Sequence, residues 1–202
     1  KICGQTNPAI IEHCLNIGVD QQGLIFYEKS PRNLEYGTLQ IINQYFQSYK
    51  NKFVGVFVNP TLKEIEEKLN VFDFDTIQLH GSENQNTIDE IYNHFKKNIY
   101  KSISPISFQG TTLKNVTKFL IEGEPSKNDQ PGGNNKNWNW NEFKNPLNLP
   151  FILAGGLNQD NLSQAINLTG ADFVDINSGV EETKGEKNLS LIDSLISSLK
   201  NE

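Results

Sequence analysis

Short apolar runs alternate with stretches of helical period from one end of this chain to the other. The runs predict strands at 1–3, 23–27, 53–58, 76–79, 99–103, 119–122, 151–154 and 173–176. Between them, apolar residues return every three or four positions over 10–17, 39–49, 62–69, 88–95, 162–168 and 189–199, which predicts amphipathic helices. Local punctuation agrees. Asn7-Pro8 and Asn59-Pro60 read as helix caps with proline just inside, Thr61 and Glu64 have the spacing of a capping box, and Gly18 and Gly170 follow helical runs as stops. Eight strands at intervals of about 25 residues fit two architectures, a closed (β/α)8 barrel or an open doubly wound sheet. No Gly-x-Gly-x-x-Gly follows the first strand, and chemistry-bearing residues recur at the carboxyl ends of many strands, as a barrel active site requires. The expectation is one (β/α)8 barrel domain over 1–202. A long polar loop at 123–137 interrupts it, read as either a closing lid or a disordered surface segment.

Composition narrows the function classes. The 202 residues suffice for a core without metals or disulfides, and a net charge of −6 with interspersed signs argues against a nucleic-acid partner. No apolar run is long enough to span a bilayer, no signal peptide is visible, and the two cysteines lie too close to the N-terminus to suggest a disulfide framework. A reduced, cytoplasmic protein with no membrane contact is expected. Methionine is absent, so the initiator and the start of the first strand are expected to lie outside this numbering.

Two features suggest chemistry. Cys3 would end the first strand at the barrel mouth, where a thiolate could serve as a base; Cys14 falls on a helical apolar stripe and reads as packing. Ala154-Gly155-Gly156-Leu157 leads from a strand toward a helix, and Asn177-Ser178-Gly179 makes a second small, polar turn one strand later. Glycine-rich turns let backbone N–H groups close on an anion, and the loops after strands seven and eight are where barrels of this class bind phosphate. Gly155, Gly156, Ser178 and Gly179 are therefore candidate phosphate ligands. His80 is the only histidine at a strand end, so a metal site is not expected. His13 and His94 fall in helices and receive no role.

In order along the chain, Lys1-Ile2-Cys3-Gly4, the 23–32 segment ending Ser30-Pro31-Arg32, Phe53-Val54-Gly55-Val56-Phe57-Val58-Asn59, Ile77-Gln78-Leu79-His80-Gly81, Ala154-Gly155-Gly156-Leu157 and Asn177-Ser178-Gly179-Val180-Glu181 resemble the phosphoribosylanthranilate isomerase family of tryptophan biosynthesis. The resemblance implies a (β/α)8 barrel that needs no cofactor, acts on phosphoribosylanthranilate and works by acid–base catalysis. A general acid protonates the ribose ring oxygen, a Schiff base forms, and a general base removes the C2′ proton. It also implies Cys3 as the base, Arg32 as the clamp on the anthranilate carboxylate, His80 in the substrate pocket, and Asp175 orienting groups beside the phosphate loop. The family's acid is an aspartate ending the sixth strand; here Glu122 takes that position, with Glu124 as a nearby alternative. The family's Gly-Gly-Thr-Gly and aromatic-Asp-Trp segments become Gly132-Gly133 followed by asparagines, Trp138 and Trp140, the tryptophans being read as packing residues. A monomer is expected. The alternatives are a catalytically impaired barrel that binds a phosphorylated ligand or a partner, and another sugar-phosphate isomerase or epimerase.

Overall fold

The computed structural model describes residues 1–123 and 138–200. The expected loop therefore lies outside the described residues but for Gly123, and so do Glu124 and Gly132-Gly133. Six parallel strands form one sheet in chain order: β1 (Gln22–Phe26), β2 (Phe53–Phe57), β3 (Thr76–Leu79), β4 (Asn98–Ile103), β5 (Lys118–Ile121) and β6 (Phe151–Leu153). Parallel bridges continue this order into a ring: Leu153 pairs with Val174, Ile176 with Ile2, and Ile2 with Gln22. Hydrogen bonds from Cys3 N to Ile176 O (2.8 Å), Ile176 N to Lys1 O (3.0 Å) and Gly23 N to Ile2 O (2.9 Å) seal the seam. The eight expected strand positions form a closed circuit, with the first and eighth contributing bridges in place of full strands. A (β/α)8 barrel results.

Helices α1 (Pro8–Asn16), α2 (Tyr36–Phe46), α3 (Leu62–Leu69), α4 (Gln85–Phe95), α5 (Pro105–Gln109), α6 (Leu162–Thr169) and α7 (Leu189–Lys200) punctuate the ring. Asn7 caps α1 by accepting from Ala9 N, with Pro8 inside, as expected. Gly170 ends α6 in the left-handed region at φ 67°, and Gly18 (φ 89°) follows α1. Thr61 and Glu64 form the capping box of α3. Asn59-Pro60 is not a cap: once Thr61 takes that role, Asn59 is free to turn the chain at φ 49° and to accept from Ser82 N at 2.8 Å. A short helix, α5, and an antiparallel hairpin, β7 (Glu181–Thr183) with β8 (Glu186–Lys187), were not anticipated. Their segments are too short to establish a period.

Strand alternation divides the core in two. One set of side chains turns outward against the helices: Phe53, Phe57, Ile77, Leu79 and Ile99 pack with Leu39, Ile42, Ile65, Ile88 and Ile91. There Phe53 and Phe72 meet edge to face at 5.0 Å and 82°. The other set fills the barrel: Cys3, Val54, Val56, Tyr100, Leu120, Ile152 and Ala154. Each fully buried valine, leucine or isoleucine among them contributes about 1.5–3 kcal/mol of burial free energy. One period beyond the inner set, in the same phase, stand His80, Ser102, Glu122 and Asp175. Packing thus sets the phase that aims the polar strand ends into the mouth.

Candidate active site

Cys3 is a free thiol only 4% exposed. Burial pushes it up and Asp175 adds to that, while Lys1 and Lys187 pull it down, with a net rise. Lys1 lies two residues back on the same inward face, its side chain fully buried, and its Nζ donates to Asp175 Oδ2 at 2.5 Å. Burial opposes its charge, but Asp175 and Cys3 outweigh burial and hold the ammonium above its usual range. The first and eighth strand positions therefore bring together a thiol, an ammonium and a carboxylate. Lys1 was not anticipated, although its spacing of two from Cys3 was the available signal.

Glu122 follows β5, and its Oε1 lies 2.6 Å from His80 Nε2. The contact is short but off the line of a hydrogen bond, since Nε2 is buried without an aligned partner. Ser102 Oγ donates to the same oxygen at 3.0 Å. Burial would raise Glu122, but His80 and Ser102 hold it below the usual carboxyl range; burial would lower His80, but Glu122 lifts it. The turn after His80 is braced from behind. Buried Lys101 donates to Gly81 O (2.8 Å) and pairs with Glu83 (2.9 Å), which accepts from Asn59 N and Gly81 N.

Arg32, 4% exposed, is not open to solvent as a loop arginine would be. Its Nε and Nη2 donate to the two oxygens of Glu181, each at 2.7 Å, leaving Nη1 without a partner among the described residues. Lys187 joins the same carboxylate at 2.7 Å and also holds the Asn177 carbonyl at 3.0 Å. Burial would raise Glu181, but Arg32 and Lys187 hold it at about 2. Nothing local announces this pairing, because Arg32 and Glu181 are 149 residues apart.

The two glycine turns meet. A side chain on Gly179 would come within 2.0 Å of Leu157 O, so only glycine lets the second turn lie on the first. Gly155 (φ 90°) and Gly156 (φ 66°) adopt left-handed backbone, and a Cβ on Gly155 would stand 3.3 Å from Glu122 Cβ. The N–H groups of Gly155, Gly156, Ser178 and Gly179 donate to no described residue. Asn161 fixes the first turn, accepting from Asn158 N and donating to Gly156 O, both at 2.9 Å. Trp138 Nε1 donates to Ala154 O at 3.2 Å, and Trp140 is buried; both pack, as expected. Among the described residues no three His, Cys, Asp or Glu side chains gather as a metal site, and no helix is long and apolar enough to cross a membrane.

Ring order places these parts around one mouth: carboxyl at position six, glycine turns after seven and eight, thiol at one. Residues 1–198 match the family model for N-(5′-phosphoribosyl)anthranilate (PRA) isomerase. The chain belongs to that family. Its relative in Acinetobacter calcoaceticus, N-(5′-phosphoribosyl)anthranilate isomerase, is 33% identical over 199 residues, covering 96% of this chain and 92% of the relative. In fold it is similar to the phosphoribosyl anthranilate isomerase crystal structure from Thermus thermophilus, with a TM-score of 0.82, 22% identity, and 99% and 97% of the two chains covered. A second family structure, in complex with reduced 1-(o-carboxyphenylamino)-1-deoxyribulose 5-phosphate, gives a TM-score of 0.76 at 23% identity over 100% and 97% of the chains.

Proposed function

We propose that this chain converts N-(5′-phosphoribosyl)anthranilate to 1-(2-carboxyphenylamino)-1-deoxyribulose 5-phosphate, the Amadori step of tryptophan biosynthesis. The observation that carries the reading is the ring order: a carboxyl and a thiol at one barrel mouth, with two anion-ready glycine turns between them. The phosphate is held by the free N–H groups of Gly155, Gly156, Ser178 and Gly179. The anthranilate carboxylate is held by Arg32 through Nη1, the nitrogen that Glu181 leaves unused. Glu122 gives a proton to the ribose ring oxygen, the C1′–O bond breaks, and the nitrogen lone pair forms the Schiff base. Cys3, as thiolate, takes the C2′ proton. Lys1 stabilises that thiolate, shared as it is between Cys3 and Asp175. The chemistry is proton transfer throughout and draws on no cofactor.

The reading includes a monomer and a cytoplasmic location, the latter in keeping with the two free cysteines. One observation favours the impaired barrel instead: a general acid must be protonated, and Glu122 is held toward its ionised form. Complementation separates the two. Expression in a tryptophan-requiring strain that lacks the isomerase is expected to restore growth without tryptophan. Failure to do so by the folded, expressed protein would favour the impaired barrel.

A further inference from the structure

An acid acting alone is poorly served by the position of Glu122. Its side chain and that of His80 are 16% and 11% exposed, and they meet at 2.6 Å with Ser102 on the same carboxyl oxygen. An aspartate, as the family has here, would end about 1.5 Å short of this contact. The added methylene is what brings the carboxyl to the imidazole. The other side of the ring is equally enclosed. The amide nitrogen of Gln78, a fully buried residue, lies 3.0 Å from His80 Nδ1, while Gln78 Oε1 is buried with no partner. The two ends of an amide have the same shape. Turned about, Gln78 presents that oxygen to an Nδ1–H, so an imidazolium would have a carboxylate on one nitrogen and an amide oxygen on the other. The remaining charges facing the ring are Asp175, which favours the imidazolium, and Lys1, which opposes it.

We propose that His80 and Glu122 carry the acid proton jointly: it rests on the imidazole and passes through Glu122 to the substrate. The inference rests on the isomerase reading above. In the step, the Glu122 carboxyl turns into line with the ring, and the Nε2–H bond breaks as a Glu122 O–H bond forms. That O–H then breaks as the ribose ring oxygen gains the proton and releases C1′. His80 is left neutral and Glu122 ionised. When the enolamine becomes the ketone, Cys3 returns its proton to C1′, and the C2′ hydroxyl gives its proton back to the pair. No net proton is consumed. His80 is thus a positioning residue that acts through Glu122.

Nitrogen NMR of the ring tests where the proton rests, without any turnover. At about pH 7.5 the wild-type protein is expected to show both His80 nitrogens protonated, and Glu122→Gln a neutral ring. A bare Nδ1 in the wild type would overturn the proposal. Kinetically, His80→Asn is expected to lower kcat about 100-fold with KM changed less than about threefold. The alkaline limb of its kcat profile should move to lower pH, because Glu122 alone surrenders its proton earlier. An unmoved alkaline limb in a folded variant would leave His80 a merely structural role and also overturn the proposal. If the wild type failed to turn over phosphoribosylanthranilate, the isomerase reading would fall, while the ring nitrogens would still report the shared proton.

Discussion

Cys3→Ala is expected to lower kcat by at least about 100-fold while leaving KM within a few-fold of wild type. The split follows from position. Cys3 ends the first strand position on the inner face, and neither of the groups proposed to hold the ends of the substrate, Arg32 or the glycine turns, depends on its sulfur. Removing the base removes an interaction made in the transition state and little of what binds the ground state. Burial, with Asp175, raises the thiol above its usual 9, whereas Lys1 and Lys187 oppose the rise. The proposed base works as thiolate, so the wild-type rate should climb as pH rises through neutrality toward that raised value. Cys3→Ser should be nearly as impaired as alanine, because a hydroxyl ionises far less readily than a thiol. Steady-state assay, following the loss of substrate fluorescence across pH, reads both effects. Turnover by Cys3→Ala near the wild-type rate would remove Cys3 from the chemistry.

Glu181→Ala is expected to destabilise the fold by about 3–5 kcal/mol, read as a lower urea midpoint at unchanged slope. Three ionic side chains meet here, Arg32 and Glu181 4% exposed and Lys187 2% exposed at their side chains. Deleting the carboxylate leaves two buried cations facing each other without a counter-charge, which is costlier than the pair is favourable. Glu181→Gln, which keeps an acceptor, should cost less. The same carboxyl gives the wild type a predictable acid limb. Held at about 2 instead of the usual 4.5, Glu181 contributes its full stability above pH 4.5 and loses it as pH falls toward 2. A change in stability below about 1 kcal/mol in Glu181→Ala would show that the cluster is solvated in solution.

Much of the barrel was legible because its evidence is local. Strand 53–57 is a continuous apolar run, as parallel barrel strands covered on both faces tend to be, and 76–79 is buried along its whole length although Thr76 and Gln78 are polar. Phase did the rest: once Val54, Val56, Leu120 and Ile152 face inward, the side chains at the strand ends in the same phase point into the mouth. The sequence offered Cys3 from its place at the end of the first strand, and His80, Glu122 and Asp175 through the family resemblance; phase is what turns them toward one mouth. It could have reached Lys1 and Ser102, each two residues along an inward face from a recognised position, had phase been followed through polar residues as well. It could not have reached the partner of Arg32. Glu181 and Lys187 sit on a hairpin of five strand residues with no period of its own, and their meeting with Arg32 exists only after the ring has closed. The Asn59-Pro60 cap failed for a related reason. Two adjacent cap signals competed, and the reciprocal bonds of Thr61 and Glu64 won.

The most direct trial of a thiol and a carboxyl acting across one barrel mouth is the steady-state turnover of phosphoribosylanthranilate by the wild-type chain beside the Cys3→Ala, Glu122→Gln double variant. Wild-type kcat should fall in the ordinary enzyme range of about 1–1,000 per second, and the double variant should show no turnover above the buffer background. Equal rates in the two proteins, whether both measurable or both absent, would contradict it.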